Sequence, residues 1–192
     1  MSLLVNIARK GPPILINRLR TQGLRVTLIW LYARGIPTFT GVPVMKYSRV
    51  TPEIYVGSQY RKAGKRKLES LGIGYCVNMR IEFDSAEHGL ALDNYCHLPT
   101  IDDDAPTLEH LDEGVAFIER AVNEDGKVYI HCAGGVGRAP TMAAAYFISQ
   151  GYSLENALGL IRKARPFISP MPSQIEQLKR FEAIQLQKRQ RA

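Results

Sequence analysis

Apolar residues recur along the chain in two periods, and the change from one to the other marks out its elements. Short apolar runs bounded by Gly, Ser and Asn read as strands: Ile54-Tyr55-Val56, Tyr75-Cys76-Val77, the stretch around Tyr95 to Leu98, and Lys127-Val128-Tyr129-Ile130 after the turn pair Asp125-Gly126. Between Pro106 and Asp125, Leu108, Leu111, Val115, Ile118 and Val122 recur at helical spacing. Thr107 is placed to cap that helix, and Glu109, Asp112 and Glu113 sit near its positive end. After Arg138 the pattern predicts an Ala-rich helix closed near Gly151, a second helix opened by Ser153, and a third in which Ser173 and Glu176 form a capping box around the apolar Ile175, Leu178 and Phe181. Strands and helices alternate first and helices fill the last third. The reading is an α/β fold with a central mixed sheet flanked by helices.

Length and composition narrow this further. A chain of 192 residues with 45% hydrophobic and 22% charged residues makes one globular domain, and excludes a disordered or collagen-like polymer. Near the N-terminus the longest membrane-like run without a charge, Val26 to Ala33, falls far short of the ~20 residues a spanning helix needs. Cys76, Cys96 and Cys132 are an odd, widely spaced set, neither a disulfide framework nor a paired zinc site, so a reducing, cytoplasmic compartment is expected. No cluster of His, Asp and Glu proposes a metal, and no cofactor is expected.

The net charge of +7 is unevenly spread. Eight Lys/Arg and no Asp or Glu precede Glu53, so the body of the chain is close to neutral. Leu15 to Tyr32 mixes Arg18, Arg20 and Arg25 with Leu19, Leu24, Val26, Leu28, Ile29 and Trp30. That composition fits a basic amphipathic helix on an anionic membrane, a mitochondrial targeting segment, or a stretch packed on the core. Nucleic acid is not expected as a partner, because no stripe of bases and aromatics continues into the body. The expected division is a basic N-terminal segment at 1–47, a catalytic domain at 48–186 and a basic tail at 187–192.

Chemistry concentrates in His131-Cys132-Ala133-Gly134-Gly135-Val136-Gly137-Arg138, a predicted strand end, a Gly-rich loop and a helix start. Three glycines in five positions let backbone N–H groups converge as an anion nest, and the helix adds its positive end to the same point. A tetrahedral phosphate dianion is the natural guest. Negative charge on the Cys132 sulfur is favoured among those donors, which makes it a nucleophile, while the planar fork of Arg138 can hold two phosphate oxygens. Together they describe phosphoryl transfer through a cysteinyl-phosphate. An acid for the leaving oxygen is available from Asp102, Asp103 or Asp104.

The eight residues from His131 to Arg138 resemble the HCxxGxxR signature of cysteine-based phosphatases. Thr51-Pro52-Glu53-Ile54-Tyr55-Val56-Gly57-Ser58 is similar to the opening strand of the dual-specificity branch, and Leu98-Pro99-Thr100-Ile101-Asp102 to its general-acid segment. Arg165-Pro166 through Ser169-Pro170, Gln174, Leu178 and Phe181-Glu182 resemble its C-terminal helical region, so the likeness runs over roughly 48–184. It implies a phosphatase-like fold, Cys132 as nucleophile, Arg138 as phosphate binder, Ala133, Gly134, Gly135, Val136 and Gly137 as the phosphate-binding loop, and a loop aspartate as acid. Position within the motif gives that role to Asp102, then Asp104, then Asp103. His131 is expected to orient the loop by hydrogen bonds.

One departure stands out. The family usually places Ser or Thr after the motif arginine, where its hydroxyl helps the thiolate leave; this chain has Ala139. Slow breakdown of the phosphoenzyme is therefore expected. The loop carries no lysine, which disfavours polyphosphoinositides and suits a single phosphomonoester. Phosphotyrosine and phosphoserine or phosphothreonine in proteins are the expected substrates. Met79-Arg80 after Asn78 and Pro106-Thr107-Leu108 are similar to mitochondrial phosphatidylglycerophosphate phosphatases, so a phospholipid substrate, with peripheral membrane contact through the N-terminal segment, is the alternative; a mitochondrial location is expected if the chain is eukaryotic and that segment is a targeting sequence. Arg138-Ala139-Pro140 also occurs in phosphoglucan phosphatases, and an inactive phosphate-binding module is a further alternative.

Overall fold

The computed structural model describes residues 3–191, the first ten of them by backbone alone. Four strands, β1 (Ile54–Ser58), β2 (Ile73–Arg80), β3 (Asn94–Thr100) and β4 (Lys127–Cys132), form one sheet in the order β1-β4-β2-β3. All three pairings are parallel, and the sheet is mixed only through a single antiparallel bridge between Arg49 and Tyr55 at its β1 edge. Helices α1 (Leu3–Thr40), α2 (Lys62–Ser70), α3 (Leu108–Asn123), α4 (Arg138–Ser149), α5 (Leu154–Ala164) and α6 (Pro172–Arg191) surround it.

Strand alternation divides the core. Ile54, Val56, Val128, Ile130 and Cys132 point into one layer, where they meet Leu111, Ile118, Met142, Ala143, Ile161, Leu178 and Phe181 of α3 to α6. Tyr55 and Tyr129 point the other way and pack with Tyr60, Leu68, Cys76 and Leu92 on the α2 side. Helix α4 is buried for almost all its length, which the run Met142-Ala143-Ala144-Ala145 allows because small side chains let α3, α5 and α6 close around it.

Thr107 and Ser153 cap α3 and α5 as their positions predict, accepting from the N–H groups of His110 and Asn156. The predicted capping box of α6 is different. The helix begins at Pro172, so Ser173 lies inside it, and the side chain of Gln174 accepts from the Met171 N–H at 2.9 Å. Gln187 to Arg191, expected as part of a tail, continue α6; Ala192 lies outside the described residues.

The N-terminal segment is helical but interrupted. Gly23 (φ 79°, ψ 169°) is not helical and breaks α1 into two parts, a conformation a residue with a Cβ adopts only with strain. One face packs on the body, with Trp30 and Ala33 against Phe167 and the neighbours Val26, Ile29, Tyr47 and Val136. Arg18 adds a bond of 3.1 Å to the Phe167 carbonyl. The side chains of Arg9 and Lys10, part of the expected basic segment, lie outside the described residues.

Candidate active site

β4 delivers Cys132 to the end of the sheet, and α4 starts at Arg138 with Gly137 as its N-cap. The intervening loop turns at Gly135 (φ 64°), where a Cβ would stand 2.4 Å from the Gly57 carbonyl oxygen, so no larger residue fits. The Gly135 N–H donates to the buried Cys132 Sγ at 3.2 Å. Such a donor, together with the positive end of α4, stabilises negative charge on sulfur.

The loop carbonyls are held from behind by Arg165. Its Nε donates to Gly135 O at 2.5 Å, Nη2 to Gly134 O at 2.9 Å and Nη1 to Tyr47 O at 2.7 Å. Complete burial pulls this guanidinium down to about 10, and it remains charged at neutral pH. With the Gly134 and Gly135 carbonyls committed to Arg165, the Gly135 N–H is left to face the sulfur.

Arg138 lies across the loop. Its Nη1 and Nη2 donate to Oε2 and Oε1 of Glu82 at 2.8 and 2.9 Å, and Nη1 also donates to Thr100 O at 2.8 Å. Nη2 stands 2.8 Å from Oδ1 of Asp102. Among the described residues the buried Nε has no partner, a donor left for an incoming oxygen. Burial opposes charge on Glu82, but the bonds from Arg138 and Arg80 outweigh it and hold the carboxyl down to about 2.

The structure therefore brings Cys132, Arg138 and Asp102 together and separates the three aspartates. Asp103 occupies the turn in left-handed backbone (φ 62°). Asp104 is spent locally, its Oδ1 accepting from the Ala105 N–H and its carbonyl from Gln174. Ala133 to Gly137 form the loop as the sequence predicts, and Ala139 is fully buried with no hydroxyl after Arg138.

His131 corrects an expectation. Among the described residues neither ring nitrogen meets a hydrogen-bond partner in good geometry; the ring is fully buried, stacked on Tyr129 at 5.9 Å and edge-on to Tyr60 at 5.2 Å. Burial, and then the charge of Arg80, pull it down to about 3, so it stays neutral and supports the loop by packing. Four further residues carry no signal of a role in the sequence itself: Glu82, which anchors Arg138; Arg80, whose Nε holds Glu82 at 2.8 Å; Arg165, visible only as part of a family pattern; and Arg34 of α1. A Cβ on Gly134 would meet Nη1 of Arg34 at 2.6 Å, which places that guanidinium on the loop itself.

Residues 54–184 match the family model described as dual specificity phosphatase, catalytic domain. Among curated proteins the chain is similar to dual specificity protein phosphatase 16 of Homo sapiens, 30% identical over 161 residues, covering 77% of this chain and 23% of that protein. It is also 31% identical to protein phosphatase Slingshot homolog 3 of Rattus norvegicus over 145 residues, 74% of this chain and 22% of that one. The chain thus spans less than a quarter of either relative. Among solved structures it is similar to PTPMT1 in complex with PI(5)P, with a TM-score of 0.67 and 31% identity over 73% of this chain and 96% of that one. Human DUSP28 gives a TM-score of 0.65 and 29% identity over 73% and 99%.

Proposed function

The chain belongs to the dual specificity phosphatase family, and from that membership and the geometry above we propose that it hydrolyses phosphomonoesters with Cys132 as nucleophile, Arg138 as phosphate binder and Asp102 as acid and base. The observation that carries the reading is the Gly135 N–H on the Cys132 sulfur inside a loop crossed by Arg138. The substrate's phosphate takes the loop N–H groups and the free Nε of Arg138. Sulfur attacks phosphorus, the bond to the leaving oxygen breaks, and protonated Asp102 gives that oxygen its proton. The resulting carboxylate then takes a proton from water, whose oxygen attacks phosphorus and releases the Cys132 thiolate. Arg138 faces the transferring group throughout, fixed by Glu82.

Phosphotyrosine and phosphoserine or phosphothreonine in proteins are the first substrates to consider, supported by the protein phosphatases among the relatives. Phospholipid monoesters are the second reading, favoured by the likeness to PTPMT1 solved with PI(5)P and by the acid-free helix beside the loop. Phosphate release from phosphotyrosine and phosphothreonine peptides, phosphatidylglycerophosphate, phosphoinositides and phosphoglucan tests the choice. Turnover lost in Cys132→Ser and concentrated on one class supports the mechanism and selects the substrate; phosphopeptide binding without turnover overturns it.

A further inference from the structure

Beyond Gly23, α1 has two apolar faces, and only one is used. Val26, Trp30, Ala33 and Pro37 lie against the body. Leu24, Leu28, Leu31, Tyr32, Ile36 and Phe39, spaced by four, three, one, four and three, form a stripe on the outer side, with Tyr32 at its border, edge-on to Tyr47 at 6.4 Å. All six are exposed, Leu24 by 65% and Phe39 by 85%. A stripe of that extent on the surface marks an interaction site.

The charges around the stripe select its occupant. Arg25 lies along it, Arg20 precedes it, both exposed, and the chain has no carboxylate before Glu53. Arg34 borders it on the side of the catalytic loop, with its guanidinium on Gly134. From Leu24 to Thr40 the helix runs about 25 Å at 1.5 Å per residue. Among the described residues no helix is long and apolar enough to cross a membrane, so this one would lie flat.

We propose that the outer face of α1 docks on a bilayer with anionic headgroups, its axis in the membrane plane, bringing the Cys132 loop to headgroup level. The inference goes beyond the substrate reading, because a surface that holds the site at a membrane serves a phospholipid and a membrane-bound phosphoprotein alike. Apolar side chains enter the headgroup boundary while Arg20, Arg25 and Arg34 meet lipid phosphates, so binding needs both parts and weakens with salt.

The test is flotation of the full chain with vesicles of phosphatidylcholine alone, or with one third phosphatidylglycerol, at low and high salt. Leu28→Ser/Leu31→Ser/Phe39→Ser and Arg20→Gln/Arg25→Gln are compared with the parent, and turnover of a soluble aryl phosphate is followed in parallel. Expected are binding to the anionic vesicles only, a loss of about tenfold or more in the apolar triple variant and severalfold in the arginine pair, with aryl phosphate turnover unchanged. Equal binding by parent and triple variant, or no binding by the parent, overturns docking. A parent that is dimeric in solution and becomes monomeric in the triple variant assigns the face to a second copy of the chain and also overturns it. Vesicle binding without any phosphatase turnover leaves docking standing and defeats the catalytic reading instead.

Discussion

Asp102, Asp103 and Asp104 are chemically identical neighbours, and what separates them is the bond each makes. Only Asp102 reaches Arg138. Asp102→Asn is expected to lower kcat about 100-fold or more on substrates with poor leaving groups, the usual weight of a positioned acid. Asp104→Asn keeps the oxygen that accepts from Ala105 and should change kcat less than about threefold. Steady-state kinetics on a phenyl and a nitrophenyl phosphate reads both, and an equal loss in the two variants would remove Asp102 from its role. His131 carries a second prediction. Its ordinary value of 6.5 is pulled down to about 3 by burial and the charge of Arg80, so the unfolded chain binds a proton that the folded chain refuses. Stability is therefore whole above about 6.5 and declines as pH falls from there toward 3. Glu82, lowered from 4.5 to about 2, adds its own loss only below about 4.5. Between those windows, at pH 6.5 to 4.5, urea unfolding of His131→Phe should lose less stability with falling pH than the parent. Parallel curves would show that the imidazole is protonated in the fold.

At the level of elements, the catalytic loop is rigid because a distant helix end supplies Arg165 to its back. Arg165→Met leaves the carbonyls of Tyr47, Gly134 and Gly135 without their donors, which should cost about 3 kcal/mol or more in urea unfolding. A loss below about 1 kcal/mol would mean that water replaces the guanidinium. This division also explains what the sequence makes legible. His131 to Arg138 are contiguous, so strand, glycines, nucleophile and helix start can be read from spacing alone. The partners of Arg138 cannot: Glu82 lies 56 positions upstream in the turn that follows β2, in an ordinary Arg-Ile-Glu stretch with no periodic or motif signal. The acid was readable only through resemblance, since composition offers three equal aspartates. Strands and caps followed apolar pattern and turn chemistry closely. The α6 start departed because Pro172 suits a first helical turn and moves Ser173 inside. The break of α1 at Gly23 has no sequence signal, because a lone glycine is tolerated within a helix and only its φ shows that it is not helical.

For the molecule as a whole, the question is whether α1 is an appendage or part of the catalytic body, and its two faces answer differently. Trp30, 8% exposed, shares a cluster with Phe167 and with Val136 of the catalytic loop, and the Arg18 guanidinium lies 4.6 Å above its ring. Packing thus runs from α1 through one side chain into the Cys132 loop. Trp30→Ala should lower stability by about 3 kcal/mol, as large aromatic truncations in cores do. It should also raise KM for a soluble aryl phosphate, because Val136 loses the surface that fixes it. Leu28→Ala, on the outer face, removes a side chain that touches solvent and should stay within about 0.5 kcal/mol of the parent with unchanged kinetics. Measured well below the unfolding midpoint, a Trp30→Ala chain with the parent's KM would show that the loop holds its shape through Arg165 alone. A raised KM with kcat nearly kept would instead make the inner face of α1 part of the binding site, and leave its outer face free for a surface that the catalytic body does not provide.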